Sequence, residues 1–220
     1  MSLTLTVTGV TSELITSFFP PILLPGGNWH IALLNFETFN SIPNIPNSHI
    51  IIGSKTFAIP RGSYEIADLE RFINKTITPA NIKIKPNLIT HQTTIRCSSD
   101  FTLSSELARI LGFSKESFQR ETEYSSDKVV NIFPLSIIQV DVNIARGSYI
   151  NGKESHSVHA FFPSVASGFR INETPHNLIY HPITTSTIDT LEVRIVDQDN
   201  KLINFLGDSI TARFHLKQLQ

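Results

Sequence analysis

A single cysteine, Cys97, and a single methionine, Met1, stand in 220 residues. One thiol cannot close an intramolecular disulfide, so a disulfide-stapled scaffold is excluded, and a reducing compartment suits the chain. Charge is also sparse: 17% of residues are Asp, Glu, Lys or Arg, the net charge is −1, and no Lys or Arg precedes Lys55. Later basic residues are scattered singly or in pairs such as Lys83 and Lys85, so no segment could neutralise a run of phosphates. Direct nucleic-acid binding is therefore not expected. Long hydrophobic runs are missing too. The start, Met1-Ser2-Leu3-Thr4-Leu5-Thr6-Val7-Thr8, has neither the basic flank nor the continuous apolar stretch of a signal peptide. The apolar segment 18–25 contains Pro20, Pro21 and Pro25 and falls far short of the ~20 residues a spanning helix needs. No leader and no membrane insertion are expected. The sequons at Asn74 and Asn172 would matter only on a secretory route.

What the chain does have is β-branched residues. Ile, Val and Thr make up 59 of 220 positions, and their stiff side chains suit pleated, half-buried surfaces. The period agrees. Leu3, Leu5 and Val7 alternate with Thr; Ile138, Val140, Val142 and Ile144 alternate with Gln139, Asp141 and Asn143; Ile210, Ala212, Phe214 and Leu216 alternate with Thr211, Arg213 and His215. Further strands are expected at 29–37, 48–52, 55–59, 81–85, 88–97, 128–133, 156–162, 168–172, 177–183, 191–196 and 201–205, divided by Pro, Gly and Asn clusters. This predicts an all-β protein: one jelly-roll β-sandwich of about eight antiparallel strands, with two short helical insertions, as a single domain over 1–220. Ser63 is a candidate cap for the first helix, with Ile66, Leu69 and Ile73 on one face; Ser104 is a candidate cap for the second, with Leu107, Ile110 and Leu111 buried and Gly112 ending it. Both are expected to act as lids over the open ends of the sandwich.

Residues able to carry chemistry do not assemble into a site. Gly147-Ser148-Tyr149-Ile150-Asn151-Gly152-Lys153 matches seven positions of a phosphate-binding loop, but Glu154 replaces the Mg²⁺-holding Ser or Thr, so a glycine-containing turn is the expectation. His156 and His159 are an odd number apart, which on a strand points them to opposite faces. His176 and His181 flank no ligand pattern, and no His-x-His pair exists for a cupin-type metal. No Gly-x-Ser-x-Gly elbow occurs, and Cys97 in an alternating stretch reads as a small buried hydrophobe. Asp197 and Asp199 could approach a cation, yet two carboxylates are too few for a dedicated calcium cage. No catalytic residue, cofactor or metal is assigned, and a non-enzyme is expected. A weakly charged β surface instead suits a subunit with extensive protein contacts.

Certain segments stand in a fixed order along the chain: Asn28-Trp29-His30-Ile31-Ala32-Leu33-Leu34-Asn35-Phe36 running on to Ile45, Ile59-Pro60-Arg61-Gly62-Ser63-Tyr64-Glu65-Ile66, and Leu107-Ala108-Arg109-Ile110-Leu111-Gly112-Phe113. They are followed by Gly147 to Gly152, Gly168-Phe169-Arg170-Ile171, Pro175 to Tyr180, and the closing Ile195 to Lys217. In this order and spacing they resemble the small capsid protein of Maverick/Polinton elements and adintoviruses. The resemblance implies a penton: a minor capsid protein, one jelly roll per chain, forming homopentamers at the five-fold vertices of an icosahedral shell. That shell would belong to a double-stranded DNA virus or virus-like transposon. Its implied partners are further copies of itself and a double jelly-roll major capsid protein; its implied location is the virion, after assembly inside the host cell. It implies no catalytic residues. Loop positions Pro43, Pro46, Phe161, Phe162, Pro163, Tyr180 and Pro182 are the expected subunit contacts. The alternative is a ligand- or carbohydrate-binding jelly roll or receptor-binding head, stacking its ligand on Trp29, Tyr149 or Tyr180, although Trp29 sits in an apolar strand that favours core packing.

Overall fold

The structure, a computed structural model, describes residues 1–77, 81–133 and 135–219. Its longest strands follow the period-2 pattern. In β1 (Ser2–Gly9) Leu5 and Val7 are buried while the intervening threonines are exposed. The others of the same sandwich are β2 (Glu13–Leu23), β3 (Trp29–Phe39), β4 (Ile138–Val142), β5 (Ser157–Phe161), β6 (Arg170–Glu173), β7 (Thr187–Val196) and β8 (Ile210–Gln218). Antiparallel pairs nest from the outside in: β1 with β8, β2 with β7, β3 with β6, β4 with β5. Two further pairs, β8 with β3 and β4 with β7, gather these into sheets of order β1-β8-β3-β6 and β5-β4-β7-β2. A long hairpin rolled up in this way is a jelly roll, and the expected eight strands are these eight. Short additions are His181–Pro182 beside β3 and a hairpin of Ser148–Ile150 with Lys153–Ser155.

The inward residues of both sheets share one core: Leu5, Val7, Phe36, Phe214 and Leu216 from the first, Val140, Val142, Leu191 and Val193 from the second. Phe36 of β3 meets Phe161 of β5 with ring centroids 5.4 Å apart, a contact from sheet to sheet.

Where the sequence suggests one domain, the chain divides into two compact units, 1–42 with 135–220, and 43–134. The second is inserted between β3 and β4. It has sheets of its own, one joining Lys55–Ile59, Ser48–Ile52, Phe101–Leu103 and Ser117–Phe118, the other Tyr124–Ser125, Thr93–Arg96 and Lys83–Pro86. Its core, including Ile50, Ile59, Ile95, Phe101 and Phe118, also takes in both helices. Helix α1 (Ile66–Thr76) buries Leu69 and Ile73, and α2 (Ser105–Ile110) buries Leu107, Ala108 and Ile110. These helices, expected as lids, are core elements of the insert.

Their ends refine the expected caps. Glu65, not Ser63, is the N-cap of α1, and Ser104 caps α2 by position without a side-chain cap bond. After α2 the Gly112 N–H bonds the Arg109 carbonyl and the Phe113 N–H bonds the Ala108 carbonyl, a Schellman ending that needs Gly112 at φ +85°.

Strand β2 departs most from the sequence expectation. Pro20 and Pro21 read as breakers, yet β2 is a sheet edge, where a missing N–H can face away from the ladder. The ladder accommodates them by a register shift: Ile188 pairs with Ile22, but Thr190 pairs with Ser17. Expected strands at 128–133 and 201–205 are absent among the described residues, Leu202 making only a bridge to Val196, and 177–183 shrinks to His181–Pro182.

Candidate functional site

The phosphate-loop look-alike is a two-residue hairpin. Tyr149 pairs with Glu154 and Ile150 with Lys153, while Asn151 (φ 52°) and Gly152 (φ 77°) make the left-handed turn that such hairpins require. There is no helix N-terminus here to receive a phosphate. Lys153, the would-be phosphate lysine, is part of the ladder, and Glu154 lies 3.5 Å from Arg146.

The histidines are held by separate partners. His156 Nδ1 donates to the Ala145 carbonyl at 2.7 Å, and His159 Nε2 meets Glu173 Oε1 at 2.9 Å, tying β5 to β6 at one side of the sandwich. Tyr180 Oη and His215 Nδ1 are 2.8 Å apart, and burial pushes the His181 imidazole below its usual pKa. Among the described residues no group of three or more His, Cys, Asp or Glu side chains could hold a metal ion. The Asp197 carboxylate is used by its own turn: Oδ1 accepts the N–H groups of Asp199 and Lys201 at 2.8 and 2.9 Å. Asp199 pairs loosely with Lys201 at 3.7 Å. Cys97 is buried, and that burial raises its thiol pKa, the opposite of what an activated nucleophile needs.

One buried ionisable group stands out. Asp141 is 9% exposed on β4, and its Oδ1 has no hydrogen-bond partner among the described residues. Desolvation raises its pKa, opposed by the charges of Arg194 and His156. Arg194 lies directly across the ladder from it.

Exposed apolar side chains are the remaining feature. Phe161 faces the core, against Phe36, so of the expected contact residues it is the one the sandwich keeps; Phe162, next in the chain, faces out at 60% exposure. Pro163, Tyr180 and Pro182 are half-buried or exposed, and Pro43 and Pro46, in the insert, likewise. Of the candidate stacking rings, Trp29 is buried and its Nε1 donates to the Pro25 carbonyl, Tyr180 is covered by the Lys217 ammonium 3.7 Å above its ring, and Tyr149 is exposed. Sequence reasoning missed the outer edge of β2, where Ile15, Phe19 and Leu23 all face solvent and Phe19 is 101% exposed. The even spacing of Ile15, Phe19 and Leu23 and the charge-free run from Leu14 to Phe36 were the available signals.

No protein-family model matches the chain, and no curated protein matches it. Among solved structures the chain is similar to the crystal structure of the selenomethionine-labelled mavirus penton protein, with a TM-score of 0.56 over 100% of both chains at 12% sequence identity. At that identity the likeness is one of fold, and it spans the insert as well as the sandwich.

Proposed function

We propose that this protein is a penton: a structural, non-enzymatic capsid subunit that forms homopentamers at the vertices of an icosahedral shell. The observation that carries the reading is the rolled strand order, β1-β8-β3-β6 over β5-β4-β7-β2, together with the full-length likeness in fold to a viral penton protein. In this reading the shell is that of a double-stranded DNA virus or virus-like transposon of the Maverick/Polinton kind, and a double jelly-roll major capsid protein surrounds the vertex in the virion. A five-fold ring requires a heterologous contact, one surface against a different one, that closes after five copies. The sandwich has two unlike sides to supply it: β1 lies beside β2 on one, and β5 beside β6 on the other. Exposed Phe162 and Pro182 and half-buried Pro163 and Tyr180 of the sandwich, with half-buried Pro43 and exposed Pro46 of the insert, are the proposed contact positions. A stable ring needs on the order of 1,600 Å² buried at each interface.

Analytical ultracentrifugation with negative-stain electron microscopy tests this directly. The expected species has about five times the 24.6 kDa chain mass and five-fold symmetry. A chain that stays monomeric up to high concentration, alone and with its capsid partner, overturns the proposal.

A further inference from the structure

The insert carries a second unassigned surface, at the tip of the hairpin between Lys83–Pro86 and Thr93–Arg96. Leu88 and Ile89 occupy that tip at 82% and 90% exposure, the barest aliphatic pair among the described residues. A pair of large aliphatic side chains in water is unfavourable unless something else covers it.

The tip is rigid rather than frayed. Asn87 Oδ1 accepts the N–H groups of Ile89 and Thr90 at 2.9 and 3.1 Å, and the His91 N–H bonds back to the Asn87 carbonyl. The Val130 N–H reaches the His91 carbonyl at 2.8 Å, which brings exposed Val129 alongside. Little conformational freedom is left to lose on docking.

Basic side chains flank the tip. Ile84 is buried, so Lys83 and Lys85 project from the opposite, solvent face of their strand. At ~3.3 Å per strand residue they stand two and four residues behind Asn87, within reach of a surface touching the tip. Lys128 precedes Val129, and none of these three lysines has an acidic partner within 4 Å among the described residues. Nearby acids are engaged elsewhere: Glu70 accepts the Ile84 N–H, Asp127 accepts the Ser114 N–H, and Glu121 pairs with Arg96.

An apolar point with a collar of unpaired cations complements a surface that is apolar inside and negatively charged outside. We propose that this hairpin tip docks on anionic lipid bilayers, Leu88 and Ile89 entering the headgroup boundary and Lys83, Lys85 and Lys128 meeting lipid phosphates. This contact is peripheral: no helix of the described residues is long and apolar enough to cross a membrane. The inference does not rest on the penton reading, although a five-membered ring would multiply the contact.

Flotation of the full-length chain with phosphatidylcholine vesicles, with and without about 30 mol% phosphatidylserine, is the test. The wild-type chain should float with the anionic vesicles alone, and less as salt rises. Leu88→Asp with Ile89→Asp, and separately Lys83→Glu with Lys85→Glu, should each lower the partition coefficient at least tenfold. Ile89→Trp guards against a folding artefact: its emission should shift to the blue on anionic vesicles, over the constant background of buried Trp29. No flotation of the wild-type chain overturns the proposal. So does flotation that the Asp pair leaves unchanged, or equal retention on an acidic polypeptide such as polyglutamate, which would make the surface a docking site for acidic protein. Mass measured in parallel keeps this outcome separate from the fate of the pentamer.

Discussion

Replacing Phe36 by Ala should cost the sandwich about 3–5 kcal/mol, the range for emptying a fully buried aromatic site. Phe36 is 0% exposed on β3 and meets two rings, Phe161 at 5.4 Å and Phe205 at 6.4 Å, both tilted. Each such ring contact adds roughly 0.5–1.5 kcal/mol beyond buried area, so the upper part of the range is expected. The chain provides its own reporter, because its single tryptophan, Trp29, begins the same strand and lies in the same core. Urea unfolding followed by Trp29 emission therefore reads the sandwich. With a denaturant slope of about 2 kcal/mol per molar, the midpoint should fall by about 2 M. Phe39→Ala is the internal control. Three residues further along β3 and 46% exposed, it should change stability by no more than about 0.5 kcal/mol. A loss below about 1 kcal/mol for Phe36→Ala, or equal losses for the two variants, would refute the assignment of this core as the seam between the sheets.

Other expectations follow from the same geometry. Burial raises the Asp141 pKa, so its carboxyl favours folding below the ordinary carboxylate range and that contribution is lost as pH climbs through the raised value. Asp141→Asn should accordingly stabilise the sandwich at pH 7, with the gain vanishing below about pH 4; a variant weaker than wild type at pH 7 would mean that Arg194 and His156 outweigh desolvation. Gly112→Ala would place a Cβ 2.3 Å from the Lys128 carbonyl oxygen at φ +85°. A loss of about 2 kcal/mol, seen as a melting temperature lowered by roughly 4–8 °C in circular dichroism, is expected. In the proposed ring, Phe19→Asp should reduce the pentamer fraction in sedimentation while leaving the Trp29-monitored midpoint unchanged, since Phe19 touches no core.

Much of the sandwich was legible in the sequence, because a half-buried strand writes its faces into alternate residues. Leu3, Leu5 and Val7, or Ala212, Phe214 and Leu216, could hardly be read otherwise, and the structure pairs these two strands, Leu5 opposite Phe214. What local pattern cannot carry is partnership over distance. Nothing within 43–134 announces that its strands pair among themselves around a separate core, since their local apolar pattern is of the same kind as that of the sandwich strands. β2 was hidden for a different reason. Proline is a breaker for a strand that must donate on both sides, and whether a strand is at an edge is decided by the whole fold. The failed motifs were legible, because each lacked a named atom: Glu154 for a hydroxyl, a second histidine on the same face, a third carboxylate. The exposed tip at Leu88 and Ile89 was masked by its composition, which inside the expected strand 88–97 looked like core.

The edges then give a reason for the missing Lys and Arg in the first quarter of the chain. Rolling the chain leaves four strands, β1, β2, β5 and β6, with one unpaired side each. Open edges invite uncontrolled strand addition, and many proteins blunt them with lysine. Here residues 1–54 contain no Lys or Arg at all, and β2 is blunted instead by Pro20, Pro21 and the register shift beside them. That choice blocks backbone pairing but leaves a neutral surface, on which Phe19, Ile15 and Leu23 can meet another surface without any charge being stripped of water. A monomer gains little from such an edge, because a lysine would blunt it equally well and keep it soluble. A subunit that must bury this side against a neighbour gains specificity: side chains dock, strands do not merge, and the ring can close at a fixed number of copies rather than grow as a continuous sheet.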